Sequence, residues 1–365
     1  MNTLTLEKHC WAEIDLTALR ENYEYIRRTV GGPVCAVVKA DAYGHGDNVI
    51  ARVLQEAGAA GFAVSSLGEG RHLRRGGITT PILILGYADP TYAAVLAAND
   101  LITTCYSTEY AQALSAAAVK AGVKVKVHLK IDTGMGRYGF LPAQVAEAIA
   151  CYDLPNLEFT GAYTHFSSAF HDKAKTIAQL EVFKDTLAQI EKAGKTVGTR
   201  HAANSPALLN VEHVALDAVR IGSAFTGRVI THSETPLHRL GRLEAEVVDM
   251  KEVPAGYAVG YNGTFVTKRP TTIAIVPMGH YDGFGLTKEK EDHNFHSVLS
   301  ALKQFLNKAH LTVTINGKAY PVIGEVGLSH TAVDVTGSSV QPGDIATCDL
   351  SPLLVNPRVP RVYTE

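Results

Sequence analysis

"AVVKADAYGHG", residues 36–46, ends a run of small apolar residues in a single lysine and follows it with a glycine-punctuated turn. Two architectures begin with such a strand. An open, doubly wound sheet wants a Gly-rich first βα turn of the form G-x-G-x-x-G, which "KADAYGHG" lacks. A closed (β/α)8 barrel gathers its chemistry at the carboxyl ends of its strands, where Lys39 falls. Lys39 itself reads in two ways. It is a solvated lysine where a core strand emerges, or a reactive amine at the mouth of a barrel.

Seven further runs follow the first, "PVCAVVK" (33–39): "GFAVS" (61–65), "PILILG" (81–86), "LITTCY" (101–106), "VKVHLKID" (125–132), "FTGAYTH" (159–165), "TVGTRHA" (196–202) and "ALDAVRIG" (215–222). Runs that are apolar throughout and alternate with helices imply a parallel sheet covered by helices. Eight of them indicate an α/β fold of the (β/α)8 barrel type. Helix signals lie between the runs. Asp89-Pro90 offers an N-cap with proline at the first helical position, and Ser107 caps a segment reaching Gly122. In 173–193, Ile177, Leu180, Phe183, Leu187 and Ile190 make one apolar helix face.

After residue 235 apolar residues alternate with polar ones, and "NGK" at 316–318 signals a hairpin. The expected organisation is a barrel over 11–235 and a mostly antiparallel β domain over 236–365, with residues 1–10 adding a strand to the β domain. Thirty-four basic against 36 acidic residues give a net charge of −2, which points to neither a nucleic-acid nor a membrane partner. No apolar stretch is long enough to span a bilayer, and the amino terminus carries no signal-peptide pattern. The five scattered cysteines (Cys10, Cys35, Cys105, Cys151, Cys348) are not spaced as metal ligands, so no metal is expected and a reducing cytoplasm is.

The strand ends carry Lys39, Lys130, Arg137, His165, Asn204, Ser205 and Arg220. Singly, His165 reads as a core histidine and an arginine as a solvated strand end. Together they form a site. A lysine amine condenses with an aldehyde cofactor, pyridoxal 5′-phosphate being the common one. Ser205 with Gly222 and Ser223 of "RIGSAF" suits a phosphate. Arg220, which offers only donors, would leave a pyridine nitrogen unprotonated. Arg137 suits a carboxylate, so the implied substrate is a small amino acid.

"AVVKADAYGHG", "VHLKIDTGMGRYGF", "GAYTHFSSA", "HAANSPALL", "AVRIGSAFTG", "VGYNGTF" and "RVPRVY" resemble the alanine racemase family of fold-type III pyridoxal-phosphate enzymes, from about residue 10 to the carboxyl terminus. The resemblance implies an isomerase that interconverts L- and D-alanine for the cell wall, as a homodimer with shared active sites. It makes Lys39 the cofactor-bearing base on one face of the substrate. Tyr261, from the second subunit's β domain, becomes the base on the other, with His165 as its partner. Two bases are needed because a single base returns the proton it removed. Tyr43 becomes a phosphate contact, the Leu328 backbone N–H a substrate contact, and Lys130 a carbamylated lysine beside Arg137.

The sequence departs from the family pattern at Thr226, His280, "EVGLS" (325–329) and Asn356-Pro357, where tyrosines, an arginine and an aspartate are usual. The last departure leads to an expectation that serine is accepted beside alanine, with Asn356 as the hydroxyl's partner. A decarboxylase of the same fold type would need a different phosphate motif. A non-catalytic single-barrel cofactor-binding protein would lack the β domain.

Overall fold

The computed structural model describes residues 9–286 and 311–365, in two units. One unit spans Leu16–Leu240; the other joins the amino-terminal segment through Asp15 to Gly241–Glu365.

The first unit is the barrel. Apolar runs rich in valine and isoleucine form β2 (Val34–Val37), after a preceding strand β1 (Cys10–Asp15) that belongs to the other unit. They continue as β3 (Gly61–Val64), β4 (Ile82–Ile84), β5 (Leu101–Cys105), β6 (Val125–Lys130), β7 (Leu157–Tyr163), β8 (Thr199–His201) and β9 (Val219–Ile221). These eight pair in parallel in the order β8-β7-β6-β5-β4-β3-β2-β9, and a bridge between His201 and Ala218 brings the ends together. Seven of the eight predicted runs contain one of these strands, and the run 159–165 overlaps β7, which begins two residues earlier at Leu157.

The caps fall where the sequence puts them. Ser107 Oγ accepts the Tyr110 N–H at 3.2 Å, and Gly122 ends that helix in the left-handed region at φ 64°. Asp89 caps a short 3₁₀ turn, Pro90–Tyr92, that leads into the helix Ala93–Ala98. The face predicted for 173–193 needs one correction. Ile177 is exposed, and the helix Lys173–Lys192 buries Thr176 and Gln179 with Leu180, Phe183, Leu187 and Ile190. Gln179 is drawn inward because its amide oxygen accepts from the Ser167 N–H and its nitrogen donates to the Thr133 carbonyl.

Among the described residues, the other unit holds a nine-stranded sheet in which β1 pairs with Gly241–Glu246 antiparallel and with Arg361–Thr364 parallel. Alternation decides its faces: Cys10, Ala12 and Ile14 of β1 are buried. The strand contributed by the amino-terminal segment therefore lies at 10–15, while residues 1–8 fall outside the described residues. Asn316 and Gly317, both at positive φ (51° and 75°), join Thr312–Ile315 to Lys318–Ile323 in a tight hairpin.

Candidate active site

The strand β2 ends abruptly. Immediately after Lys39, Ala40, Asp41, Ala42 and Tyr43 all have positive φ (52°, 55°, 50° and 57°), a full left-handed turn made without glycine. That conformation costs roughly 1–2 kcal/mol per residue for side chains other than glycine. Local hydrogen bonds hold it: the Ala42 N–H donates to the Val38 carbonyl at 2.9 Å, and the Gly46 N–H to the Asp41 carbonyl at 3.0 Å. The Asp41 carboxylate accepts the Asp47 N–H at 2.9 Å, and the Glu69 carboxylate accepts the Ala40 N–H at 2.8 Å. The turn swings Tyr43 back toward the end of β9. A Cβ on Gly222 would lie 2.2 Å from the Tyr43 hydroxyl, so glycine is required there.

Ten candidates from the sequence line one cavity of about 350 Å³ at the carboxyl ends of the barrel strands: Lys39, Tyr43, Lys130, Arg137, His165, Asn204, Ser205, Arg220, Gly222 and Ser223. Leu85, Tyr138 and Tyr163 share its wall. Asn204 caps the short helix Ser205–Asn210 through its side-chain oxygen, 3.1 Å from the Ala207 N–H. The Ser205 Oγ accepts the N–H groups of Gly222 and Ala224 at 3.1 and 3.2 Å, which leaves its own proton for an acceptor. Thr226, one of the departures, is buried and donates to the Ser223 carbonyl at 2.8 Å, bracing the same turn.

Arg220 is buried. Its NH1 donates to the His201 ring at 2.8 Å and to the His201 carbonyl at 2.9 Å. Its NH2 donates to the carbonyls of Thr164 and Ala202 at 2.6 and 3.1 Å and lies 3.4 Å from His165 Nδ1. Among the described residues, its Nε–H takes no partner. Burial lowers the guanidinium to about 10, so it stays charged near neutral pH. Burial, then Arg220 and the other cations of the mouth, hold His165 well below its ordinary value and hence neutral.

Burial and Arg137 lower the Lys39 amine, against the opposing charge of Glu69. Burial, Arg220 and Arg137 together bring Lys130 down to about 7, while Asp132 pulls the other way. No carboxylate forms an ion pair with Lys130 among the described residues; its ammonium sits 4.5 Å over the Tyr163 ring. Asp132 shapes the loop to Arg137, its carboxylate accepting the N–H groups of Gly134, Met135, Gly136 and Arg137 at 2.7–3.1 Å. Burial raises Asp132, but these four donors outweigh it and the carboxyl falls below its ordinary value.

Tyr261 and Leu328 lie in the β unit, 71% and 74% exposed. Tyr261 opens a 3₁₀ turn after Gly260 and lines a cavity of that unit with Glu325, Gly327 and His330. Asn356 is committed locally. Its amide donates to the Tyr281 carbonyl at 3.0 Å and accepts the Arg358 N–H at 3.0 Å.

Sequence reading missed Glu69, Asp132, Tyr163 and His201. Ser66-x-x-Glu69 is a capping-box signature, and Asp132 ahead of "TGMG" is a turn signal. Tyr163 and His201 carry no local signal.

A (β/α)8 barrel with a polar, lysine-bearing mouth, carried on one chain with a separate β unit, defines a barrel enzyme. Profiles described as the alanine racemase N-terminal and C-terminal domains match residues 14–229 and 240–350. An alanine racemase of Desulfovibrio desulfuricans is 34% identical, over 99% of this chain and 100% of that one. The solved alanine racemase of Clostridium difficile 630 superposes with a TM-score of 0.87 at 29% identity, covering 99% and 97% of the two chains. A histidine racemase from Leuconostoc mesenteroides shares the fold at 23% identity and a TM-score of 0.83, covering 99% of each chain. The chain belongs to the alanine racemase family, a family of isomerases. Among the described residues, no helix is long and apolar enough to cross a membrane.

Proposed function

We propose that this protein interconverts L- and D-alanine with pyridoxal 5′-phosphate held in the barrel mouth, as a cytoplasmic homodimer. One observation carries the reading: Lys39, the anion-ready Ser205–Gly222–Ser223 turn and the buried guanidinium of Arg220 line one cavity. The residues fit the cofactor. Lys39 would hold its aldehyde, Tyr43, Asn204, Ser205, Gly222 and Ser223 its phosphate, and Arg220 its ring nitrogen. When bound, the cofactor makes the amino acid's Cα–H acidic by spreading the electron pair left behind.

The chain's own groups do the rest. Arg137 and the Leu328 N–H hold the substrate carboxylate. Lys39 exchanges a proton at one face of Cα, and burial keeps its amine unprotonated more readily than a free lysine. Tyr261 of the second subunit serves the other face, with neutral His165 as the hydrogen-bond partner of its hydroxyl. Arg220 would donate to the ring nitrogen without giving up its own proton, which would moderate the electron withdrawal the cofactor supplies and disfavour side reactions.

Serine is the second expected substrate. With the Asn356 amide engaged inside the β unit, that reading rests on the room left by a missing tyrosine ring alone.

The test is a visible absorbance spectrum of the purified protein, then racemisation assays with L-alanine and L-serine. Borohydride reduction and peptide mapping should place a pyridoxyl group on Lys39. Mixed inactive Lys39→Ala and Tyr261→Ala proteins should regain activity if the site is shared. No cofactor band, or a pyridoxyl group on Lys130, overturns the proposal.

A further inference from the structure

Barrel interiors are ordinarily filled by branched apolar side chains. This one carries a buried polar column beneath the candidate site. Val127 pairs with Phe159 but His128 with Gly161, so an irregularity in β6–β7 pairing falls at His128. A Cβ on Gly161 would stand 2.7 Å from Cε1 and Nε2 of the His128 ring, so glycine makes room for the imidazole. His128 Nδ1 lies 2.9 Å from His201 Nε2, and His201 Nδ1 lies 2.8 Å from Arg220 NH1. Below them, His128 and His201 line a cavity of about 650 Å³ at the amino-terminal end of the strands.

The proton positions in this column follow from its donors. Arginine has no acceptor, so His201 Nδ1 must present a lone pair to Arg220. A neutral His201 then carries its proton on Nε2 and donates it to His128 Nδ1. His128 must accept there, so its own proton sits on Nε2, at the edge of the ring against Gly161. Both rings are thereby neutral. Burial and the charge of Arg220 act in the same direction, lowering His128 to about 4 and His201 well below its ordinary value.

We infer that His128 is a positioning residue for the racemase reaction: by accepting from His201 Nε2–H it fixes the tautomer that keeps His201 Nδ1 an acceptor for Arg220. Without that acceptor, the proton on Nε2 is buried and unpartnered, a cost that offsets what the lone pair on Nδ1 gains from Arg220. An Nδ1–H tautomer would set donor against donor at Arg220, and the guanidinium would turn from its present place in the wall of the cavity. Arg137, on the loop after β6, is untouched, so substrate binding should survive while the chemical step suffers. The inference rests on Arg220 facing the cofactor as proposed above.

The test compares His128→Leu, which removes the acceptor at similar volume, with His128→Asn, whose amide oxygen sits near the Nδ1 position. In ¹⁵N-histidine-labelled holoenzyme, with the two rings assigned by difference against His128→Asn and His201→Gln, both should be neutral Nε2–H tautomers at pH 7. His128→Leu should lower kcat for alanine about tenfold to a hundredfold with KM little changed, as for a sub-ångström misplacement at the reacting centre. His128→Asn should keep kcat within about threefold and preserve the His201 tautomer. A cationic or Nδ1–H His201 in the wild type overturns the inference. So does a His128→Asn protein that folds but loses both the tautomer and kcat, or a His128→Leu protein that changes neither. The tautomers are read whatever the substrate, so a wild type without alanine turnover would count against the proposed function and not against this column.

Discussion

The carboxylate of Glu69 accepts the backbone N–H of Ala40, 2.8 Å away, and so fixes the peptide that follows Lys39. The same carboxylate accepts the N–H groups of Ser65 and Ser66 at 2.6 and 3.2 Å and the Ser65 hydroxyl at 2.8 Å. One side chain thus caps the helix Leu67–Arg75 and ties it to the strained turn that carries the lysine. Glu69→Gln keeps the shape but halves the acceptors. Leaving such donors unsatisfied costs about 1–3 kcal/mol. We expect a lower Tm and a kcat for alanine about tenfold down, because Lys39 loses its backbone anchor. Glu69 is also the charge that raises the Lys39 amine against burial and Arg137, so its loss frees the amine at lower pH. The rate at which apoenzyme takes up pyridoxal phosphate should therefore reach its plateau at lower pH in Glu69→Gln. An unchanged profile would count against this electrostatic role.

The eight runs were legible because burial on both faces leaves no polar alternation, and Lys39 stood out because it interrupts one of them. The mouth residues were legible because strand ends are fixed by the runs themselves. Glu69 was not, since its anchor bridges residues 29 apart and only its local capping role has a pattern. His128 and His201 escaped for a related reason. They sit in two different barrel strands, 73 residues apart in the chain, and become partners only once the barrel curls. Ile177 misled because the helix period counts apolar residues, whereas Gln179 earns burial through hydrogen bonds across the loop before it.

Gly222→Ala tests the cradle at the end of β9. The added methyl would fall 2.2 Å from the Tyr43 hydroxyl, so the ring must move or the strand end must shift. Pyridoxal phosphate should bind more weakly, by about tenfold or more, which is about 1.4 kcal/mol. Tyr43→Phe removes the colliding atom and, combined with Gly222→Ala, should recover part of that loss. Spectroscopic titration of apoenzyme with the cofactor measures both. Equal affinities for wild type and Gly222→Ala would sink the account.

Asp132 supports Arg137 through the backbone. Asparagine in its place offers one acceptor oxygen to four N–H groups that now share two. Asp132→Asn should raise KM for alanine several-fold with a smaller effect on kcat, since a looser loop weakens carboxylate binding in ground and transition states alike. The pH dependence has a definite sign. The folded carboxyl lies below its unfolded value, so its stabilisation is complete above the unfolded value and is lost as pH falls through the folded one. Acid unfolding of Asp132→Asn should accordingly be less steep than that of the wild type, which matched urea titrations at pH 3 and pH 7 will show.

Lys130 presents the opposite sign. Its amine is held near 7 in the fold against 10.5 ordinarily, so between those values the unfolded chain binds a proton that the folded chain does not. Stability contributed at this site rises with pH across that window, and below about 7 the fold bears the full cost of a buried ammonium, on the order of a few kcal/mol. A lysine with a lowered amine pKa is also a nucleophile near neutral pH. Its nitrogen can add to carbon dioxide, release a proton to water and become a carbamate, an anion beside the charges of Arg220 and Arg137. We expect that reaction here, because it replaces cation–cation repulsion by attraction at an amine that, among the described residues, forms no ion pair with a carboxylate. In carbon-dioxide-free buffer, wild type should lose stability relative to Lys130→Met as pH is lowered from 9 to 7. Bicarbonate should raise the wild-type Tm and leave Lys130→Met unmoved. With ¹³C-bicarbonate, a carbamate resonance should appear in wild type and be absent from the variant. No resonance, together with a bicarbonate-insensitive Tm, would leave Lys130 a free amine and require an anion from solution between it and Arg137.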